Sequence, residues 1–207
     1  MKRIKLQKTK RNTKVYESIL EEPISAEDIK LFNPSHPKEI FNTSAGSWIS
    51  RGSGQESLIS LRSPVLTGSG ACGSFLILED GLPIRPAGFC NVNNLFEVSL
   101  NLASNIEILK GPSSARFGGN ALHGAINIET LRVDGTNYLK TEINNEESFK
   151  STFQYQESKN WTLGISLGSN KGFRDDSGYD EQKLAFKSFT TKLYTKIVGL
   201  IVPGSVN

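Results

Sequence analysis

The sequence predicts an α+β fold, in which a small mixed β-sheet with short helices and long loops is followed by a few antiparallel strands. Three observations support this prediction. Helix-start signals stand near residues 25 and 37, short β-prone segments separated by Gly, Ser, Pro and Asn fill residues 44–130, and apolar/polar alternation begins after Leu131. These patterns follow one another along the chain, so they divide it into regions of different architecture.

The N-terminal segment differs from the rest of the chain in charge. The chain has 24 Lys and Arg against 21 Asp and Glu, and residues 1–14 hold seven of the basic residues and no acid. Removing those seven leaves 17 basic against 21 acidic side chains. The segment lacks the interleaved aromatic residues and the helical moment expected of an arm that binds nucleic acid or anionic lipid. We therefore expect residues 1–22 to be a basic, disordered tail and nucleic acid not to be a partner.

Export and membrane-helix signals are weak. Lys2, Arg3 and Lys5 resemble the start of a secretory signal, but no apolar run of about 7 to 15 residues follows them, so no signal peptide is expected. The longest apolar candidate, residues 197–202, is far shorter than the roughly 18 residues of a membrane-spanning helix. Any membrane crossing would have to be made by β-strands.

Two short helices are expected first. Ser25 and Asp28 have the spacing of a capping box, which predicts a helix that runs to about Phe32. Pro34 ends this helix, and Pro37 suits the first turn of a second one.

The central region predicts a small sheet. Asp80 and Gly81 supply a tight turn into a further short strand at residues 82–84, and residues 95–105 are expected to be helical in part. Strands are expected near residues 47–51, 58–62, 74–79, 106–110 and 124–130.

The last region alternates with period two. Leu139, Thr141 and Ile143 share one face of a strand, and two further segments of about ten residues, 149–156 and 161–168, repeat the pattern. Such strands are typical of a membrane β-barrel, but alternation alone favours a soluble antiparallel sheet with one buried face. Residues 191–207 lose the alternation and are expected to form an irregular C-terminal tail.

A motif between these regions reverses that preference. Residues 104–130, SNIEILKGPSSARFGGNALHGAINIET, contain a strand, a Gly-Pro turn, a small-residue segment, a Phe-Gly step and a Gly-x-Ile-Asn-Ile strand. This resembles the C-terminal plug signature of TonB-dependent outer-membrane receptors. The matching positions are Ile106, Glu107, Lys110, Gly111, Pro112, Ser114, Ala115, Phe117, Gly118, Ala121, Gly124, Ile126, Asn127 and Ile128.

Two upstream segments resemble the same family. Arg51 and Gly52 resemble its strand pair around an Arg-Gly turn, and Asp80, Gly81 and Pro83 resemble its hairpin. The resemblance implies a plug domain over residues 23–131 and, over residues 132–190, the first strands of an incomplete transmembrane β-barrel. It further implies that the intact parent receptor is not an enzyme. Its partners would be TonB, a small-molecule nutrient such as a siderophore or cobalamin-like ligand, the outer membrane and the remaining barrel strands.

A complete barrel of this kind has about 22 strands. The three or four strand-like segments expected here cannot close one, so we expect a fragment that is inactive in transport by itself. Residues 21–25 are a weak candidate for the TonB box. The alternative function is a stand-alone, plug-like soluble module that binds a ligand or a partner protein.

Two long loops, 63–73 and 83–94, supply further candidates. In the family such loops tend to face the extracellular vestibule, which makes Arg85, Phe89, Asn91 and Asn93 candidate ligand contacts, with ordinary loop packing as the alternative. Cys72 and Cys90 lie in these loops without further metal ligands nearby. In an oxidising compartment a disulfide between them would enclose about 18 residues and stabilise the fold by about 3 kcal/mol.

Enzyme and cofactor chemistry have little support. Gly68, Gly70 and Gly73 match G-x-G-x-x-G, but a predicted strand follows them where a dinucleotide site needs a helix. His36 and His123 are isolated in the sequence, and Ser113 and Ser114 have no evident base.

Two other reactive candidates are equally weak. Glu79 and Asp80 are adjacent, so they point to different sides of an extended chain. Nothing beside Cys72 indicates a lowered thiol pKa. We therefore expect no catalytic residues, no cofactor and no bound metal.

Overall fold

The computed structural model describes residues 23–52, 55–63, 75–86, 94–131, 136–145, 147–157, 160–172, 177–188 and 194–201, so the tail expected at residues 1–22 lies outside the described part of the chain. Its strands are β1 (Ile24–Ser25), β2 (Ser47–Arg51), β3 (Ser57–Leu61), β4 (Phe75–Glu79), β5 (Leu82–Pro83), β6 (Ala103–Lys110), β7 (Gly124–Thr130), β8 (Tyr138–Asn144), β9 (Ser148–Glu157), β10 (Trp161–Asn170), β11 (Tyr179–Ser188) and β12 (Tyr194–Ile201). Its helices are α1 (Ala26–Phe32), α2 (Pro37–Phe41), α3 (Asn94–Glu97) and α4 (Ser114–Phe117), with 3₁₀ turns at Leu100–Leu102 and Gly119–Ala121.

The first sheet is mixed and has the order β1-β6-β7-β4-β5. The β4–β7 pair is parallel, and the other pairs are antiparallel. β2 and β3 form a separate antiparallel hairpin. This confirms the small mixed sheet with short helices that the sequence predicts.

Both faces of the first sheet are covered. One face contributes Phe75, Ile77 and Ile126 to the main core, together with residues of α1, α2 and the β2–β3 hairpin. The other face carries Leu76, Leu78, Leu109 and Ala125, and Ala121 and Phe117 pack against it. Because both faces are covered, β4 is buried along its whole length, and its first four residues are apolar without alternation.

The helix ends follow the local sequence signals. Ser25 Oγ accepts a hydrogen bond from Asp28 N at 3.2 Å, and Ser25 N donates to Asp28 Oδ2 at 3.0 Å, so the predicted capping box is formed. The hydrogen bond that Ser25 Oγ donates to Asp28 Oδ2 at 2.7 Å, together with the one from Ser25 N, holds the pKa of the Asp28 carboxyl below its ordinary value. α1 ends at Asn33, whose left-handed φ of 44° turns the chain towards α2, and Pro37 stands in the first turn of α2.

Two glycines are required by the backbone. Asp80 and Gly81 have φ values of 51° and 79°, as expected for a tight hairpin turn with two positive φ angles between β4 and β5. Gly124 begins β7 where a Cβ atom would lie 2.5 Å from the carbonyl oxygen of Leu109. A side chain at Gly124 would therefore push β7 away from β6.

The second sheet is an antiparallel meander with the order β12-β11-β10-β9-β8. It contains five strands, more than the three or four expected. The prediction of an irregular tail at residues 191–207 is wrong for Tyr194–Ile201, which pair with β11 in continuous register. The tail prediction failed because these residues are apolar on successive positions, which hides a period of two.

A second boundary also differs from the prediction. Residues 95–105 were expected to be helical in part, and α3 and a 3₁₀ turn occupy residues up to Leu102, but Ala103 already begins β6. The backbone from Ala103 onward pairs with β7, which satisfies its hydrogen-bonding groups better than another helical turn. No helix within the described ranges combines the length and the apolar content needed to cross a membrane.

Candidate functional site: the interface between the two sheets

The second sheet packs on the first through its polar face. Thr152, Gln154, Thr162 and Ser166 are 5% exposed or less, although each has a polar side chain. The apolar side chains on the opposite face are open to the surroundings, with Leu139 and Ile143 at 70% and 79% exposure. This polarity is the reverse of a soluble sheet, which buries its apolar face.

The strand register arranges the polar face in rows that cross the sheet. We call this side, which faces the first sheet, the inner face and the opposite side the outer face. Successive inner rows are Asn144-Ser148-Asn170-Tyr179, Glu142-Lys150-Gly168-Glu181, Lys140-Thr152-Ser166-Lys183 and Tyr138-Gln154-Gly164-Ala185. Each row, neutral or charged, therefore has a fixed position along the strand direction of the second sheet.

Asp80 joins the two sheets at one end of the interface. Its Oδ1 accepts from Lys187 Nζ of β11 at 2.6 Å and from Thr130 N at 3.2 Å, while Oδ2 accepts from Thr130 Oγ1 at 2.6 Å. Lys187 Nζ also donates to Thr130 O at 3.1 Å. The Asp80 and Lys187 side chains are 7% and 15% exposed. A turn residue of the first sheet thus forms a largely buried ion pair with the second.

A second group of contacts surrounds Glu181. Asn101 Nδ2 donates to Glu181 Oε1 at 2.9 Å and to Ser166 Oγ at 3.1 Å. Glu181 Oε2 accepts from Lys183 Nζ at 2.8 Å, and the Lys183 amine lies 5.0 Å from the centre of the Phe96 ring. A buried carboxylate and a buried amine therefore neutralise each other within the interface. This pairing offsets the cost of removing both charges from water.

The end of α1 is held to the first two strands of the second sheet. Asn33 Nδ2 donates to Glu142 Oε2 at 2.5 Å, and Asn33 Oδ1 accepts from Lys140 Nζ at 2.8 Å. Lys150 Nζ donates to the carbonyl oxygen of Pro34 at 2.9 Å. The left-handed cap of α1 therefore serves as a contact point between the sheets.

Gly164 lies at a point where the second sheet closely approaches the first. A Cβ atom on Gly164 would lie 2.4 Å from Leu131 Cδ2 and 3.0 Å from both terminal carbons of Leu102. Both leucines are 1% exposed, so they have little room to move. The missing side chain at Gly164 allows the two apolar residues to reach the strand backbone.

We expect Gly164→Ala to destabilise the chain by about 2 kcal/mol, because the added methyl overpacks the contact. The measurement is the free energy of urea unfolding in detergent micelles. Gly119→Ala is the matched control, since no atom lies within 4 Å of the position that its added methyl would take, and it should change stability by less than about 0.5 kcal/mol. Equal effects of the two substitutions would contradict the close approach at Gly164.

The residues of the sequence signature lie in and around the first sheet. Gly111 N donates to His123 O at 3.0 Å, which closes the loop between β6 and β7, and Gly118 N donates to Ser114 O at 2.8 Å to end α4. Asn127 Oδ1 accepts from Gly81 N at 3.0 Å, so it ties β7 to the β4–β5 turn. Pro112 is exposed, whereas Phe117 packs on the sheet.

Three more signature residues lie at strand ends or just beyond them. Arg51 and Gly52 are exposed at the end of β2, where Gly52 N donates to Glu56 O at 3.5 Å. Lys110 is 2% exposed at the end of β6, and its Nζ donates to Ser44 Oγ at 2.9 Å and to Ala45 O. Burial lowers the pKa of the Lys110 amine.

One of the four candidate ligand contacts, Arg85, lies within the described residues. Arg85 forms an ion pair with Glu97 through Nη2 and Oε1, and both side chains are partly buried. Phe89, Asn91 and Asn93 lie outside the described residues, as do Cys72 and Cys90. Arg85 therefore contacts α3 in this structure, and the ligand role and the disulfide stay predictions.

The residues set aside as catalytic candidates have structural contacts. His36 caps α2, His123 packs its ring 5.7 Å from that of Phe75, and Ser113 Oγ lies 3.2 Å from Gly111 O. Glu79 Oε1 accepts a hydrogen bond from Ser99 N at 3.2 Å, so the partner of Glu79 differs from those of Asp80.

The contacts between the two sheets were not predicted from the sequence. Asn33, Asn101, Gly164 and Lys187 were not singled out, although each of them contributes to the interface. The alternating pattern contained a usable signal, because it assigned Gly164 and its polar neighbours to one face. It did not say which of the two faces packs on the first sheet.

The first sheet is small and covered on both faces, and it packs against the polar face of the second sheet. The other face of the second sheet is apolar. This arrangement defines a plug seated against part of a barrel wall. The chain belongs to the TonB-dependent receptor plug domain family, whose model matches residues 9–125, more than half of the 207 residues.

Solved structures share this fold. The ferric yersiniabactin uptake receptor FyuA from Yersinia pestis is 18% identical, with a TM-score of 0.60 over 81% of this chain and 28% of that one. The siderophore receptor PirA from Pseudomonas aeruginosa is 22% identical, with a TM-score of 0.52 over 80% and 31%. The unliganded ferric citrate transporter FecA is 17% identical, with a TM-score of 0.58 over 92% and 32%. The chain spans less than a third of the length of these receptors.

Proposed function

We propose that this chain is the plug portion, with adjoining wall strands, of an outer-membrane receptor that takes up a scarce nutrient with energy delivered by TonB. The nutrient would be a siderophore or a cobalamin-like ligand. The names of the similar structures support this class, since they include a ferric yersiniabactin uptake receptor, a siderophore receptor and a ferric citrate transporter. The function is binding and transport, without an enzymatic step.

The single observation that carries the proposal is the inverted polarity of the second sheet. Its inner face buries amides and hydroxyls against the first sheet, and its outer face presents Leu139, Ile143 and Leu167. Such a surface suits lipid, because every apolar outer side chain would lie in hydrocarbon while the polar inner face meets the plug.

An aromatic group on the outer face supports the same orientation. The ring centres of Tyr155 and Trp161 are 5.5 Å apart, and those of Trp161 and Phe186 are 5.9 Å apart. All three side chains lie towards the strand ends at residues 157, 161 and 188. Aromatic residues at strand ends are typical of the membrane–water boundary of β-barrels.

The 207 residues are proposed to be inactive in transport by themselves. In the part of the chain that the structure describes, β8 and β12 each pair with one neighbour, so both edges of the second sheet have unpaired backbone groups. Hydrocarbon offers those groups no hydrogen-bond partners, and further strands are needed to close a cylinder. Nutrient import supported by residues 1–207 alone would contradict this part of the proposal.

The N-terminal end of the fold suits engagement by TonB. β1 has two residues, Ile24 and Ser25, which pair with Ile106 and Asn105. Such a short pairing can open at modest cost compared with the long strands of the sheet. The weak TonB-box candidate at residues 21–25 overlaps this strand, so binding of TonB there would compete with the β1–β6 pair.

The detergent requirement of the chain tests the proposal. We expect the purified chain to be monomeric in detergent micelles and to aggregate when the detergent is removed, because the outer face then meets water. A variant with Leu139→Thr, Ile143→Thr and Ile165→Thr should remain soluble to a greater extent without detergent. Size-exclusion chromatography with light scattering gives the measurement.

A matched inner-face variant provides the control. Thr152→Leu, Thr162→Leu and Ser166→Leu change the same number of side chains, but they should disrupt packing on the first sheet and leave the detergent requirement in place. If the unmodified chain is monomeric without detergent, the stand-alone soluble module is the correct function.

A further inference from the structure

A polar cavity lies between the two sheets at the end of the second sheet where β8 to β11 turn. Its volume is about 330 Å³, and residues of both parts of the fold line it. Asn33, Ser35 and Asn101 contribute from the first part, and the inner rows that contain Asn170 and Glu181 contribute from the second. A volume of this size is within the range of small-molecule sites.

The outermost inner row supplies neutral hydrogen-bonding groups. Asn144, Ser148, Asn170 and Tyr179 stand side by side across four strands. Asn170 Oδ1 accepts from Gly172 N at 2.6 Å, which leaves its amide nitrogen to donate elsewhere. The Tyr179 ring is fixed edge-on against Phe96, with ring centres 5.2 Å apart, and Tyr179 lines the cavity.

The next inner row supplies charges that are already paired. Glu142 contacts Lys140 at 2.6 Å, and Glu181 contacts Lys183 at 2.8 Å. The remaining amine, Lys150, donates to Pro34 O at 2.9 Å. An anionic ligand would meet two carboxylates and one occupied amine, so its desolvation would be poorly compensated.

The lining also disfavours an apolar ligand. Among the lining residues that the structure describes, Phe149 is the one hydrocarbon side chain, and it belongs to the outer face of β9. Gly168 has no side chain, and the Glu181 side chain of the next strand packs over it. The cavity therefore offers amide and hydroxyl groups at several points, among apolar carbon atoms that belong mostly to polar residues.

We propose that this cavity binds a small, neutral, polyhydroxylated solute of the mono- or disaccharide class. A hydroxyl both donates and accepts hydrogen bonds, so a sugar can satisfy amide nitrogens, carboxylate oxygens and hydroxyls at the same time. The inference goes beyond the proposed uptake of a scarce nutrient. It needs only the packing of β8 to β11 on the first sheet and does not depend on transport.

Maltose binding to the full chain tests this site. The chain is refolded in a detergent without a sugar headgroup, and binding is followed by calorimetric titration, with citrate as the anionic comparison. We expect saturable binding of maltose and none of citrate. Ser148→Leu on the inner face should raise the Kd for maltose at least about tenfold, because the leucine occupies the cavity. Ser151→Leu, on the outer face of the same strand, should leave the Kd unchanged.

Tyr179→Phe provides a second variant that keeps the ring packed on Phe96. Loss of one hydroxyl should raise the Kd about threefold to tenfold, with the circular dichroism spectrum unchanged. The proposal is overturned if maltose shows no saturable binding to the unmodified chain, as expected for a cavity that holds water alone. It is also overturned if Ser148→Leu and Tyr179→Phe bind maltose as well as the unmodified chain does. Failure of transport would not affect this result.

Discussion

Asp80→Asn is expected to destabilise the chain by about 3 to 5 kcal/mol, the range for breaking a buried ion pair. The carboxylate accepts from Lys187 Nζ and from two groups of Thr130, and the substitution removes its charge while Lys187 stays largely buried. Asn tolerates the left-handed φ of 51° at this position, so the hairpin turn should be retained. The measurement is the free energy of unfolding in detergent micelles.

Two comparisons isolate the ion pair from other effects. Asp180→Asn makes the same change at an exposed outer position of β11 and should shift stability by less than about 0.5 kcal/mol. Adding Lys187→Met to Asp80→Asn should restore part of the loss, because the unpaired amine is then removed. Additive effects of the two substitutions would show that Asp80 and Lys187 are not coupled.

Acid is expected to destabilise the fold through His36. The side chain is 1% exposed, its Nδ1 accepts from Lys38 N at 3.1 Å to cap α2, and its Nε2 is buried without a hydrogen-bond partner. Burial, followed by the positive charge of Arg51, lowers the pKa of His36 from 6.5 to about 4. Protonation would place a charge in the interior and convert Nδ1 from an acceptor into a donor.

Because the pKa of His36 is lower in the folded chain, stability falls as the pH falls. The unfolded chain takes up a proton as the pH falls below 6.5, whereas the folded chain resists until about pH 4. The His36 contribution is therefore fully present above pH 6.5, is lost progressively as the pH falls towards 4, and amounts to about 3 kcal/mol in total. About 2 kcal/mol of it should be lost by pH 5, where most carboxylates are still ionised.

His36→Asn gives the matched comparison, since asparagine keeps an acceptor for the N-cap and does not titrate. Urea unfolding between pH 7.5 and pH 5 should show a flatter dependence for His36→Asn than for the unmodified chain, by about 2 kcal/mol. Parallel pH profiles of the two proteins would exclude His36 as the source of acid sensitivity.

Local features were predictable because neighbouring residues determine them. The Ser25–Asp28 capping box, the Pro37 helix start and the Asp80–Gly81 turn each depend on groups within a few positions, and all three are formed. The motif at residues 104–130 likewise identified the family from contiguous sequence, and the family model that matches residues 9–125 confirms it. Where the local pattern was ambiguous, as at Tyr194–Ile201, the prediction failed because pairing with β11 overrode it.

By itself, the sequence determined the two sheets, the order of their elements and the period of two along the later strands. Only the tertiary structure decided which face of those strands meets the first sheet, because a period of two defines two faces without assigning either to the interior. It also decided the partners of Asp80 and Asn33, which lie 107 and 109 positions away in Lys187 and Glu142. Contacts at such separations depend on how the sheets dock, and no local preference encodes them.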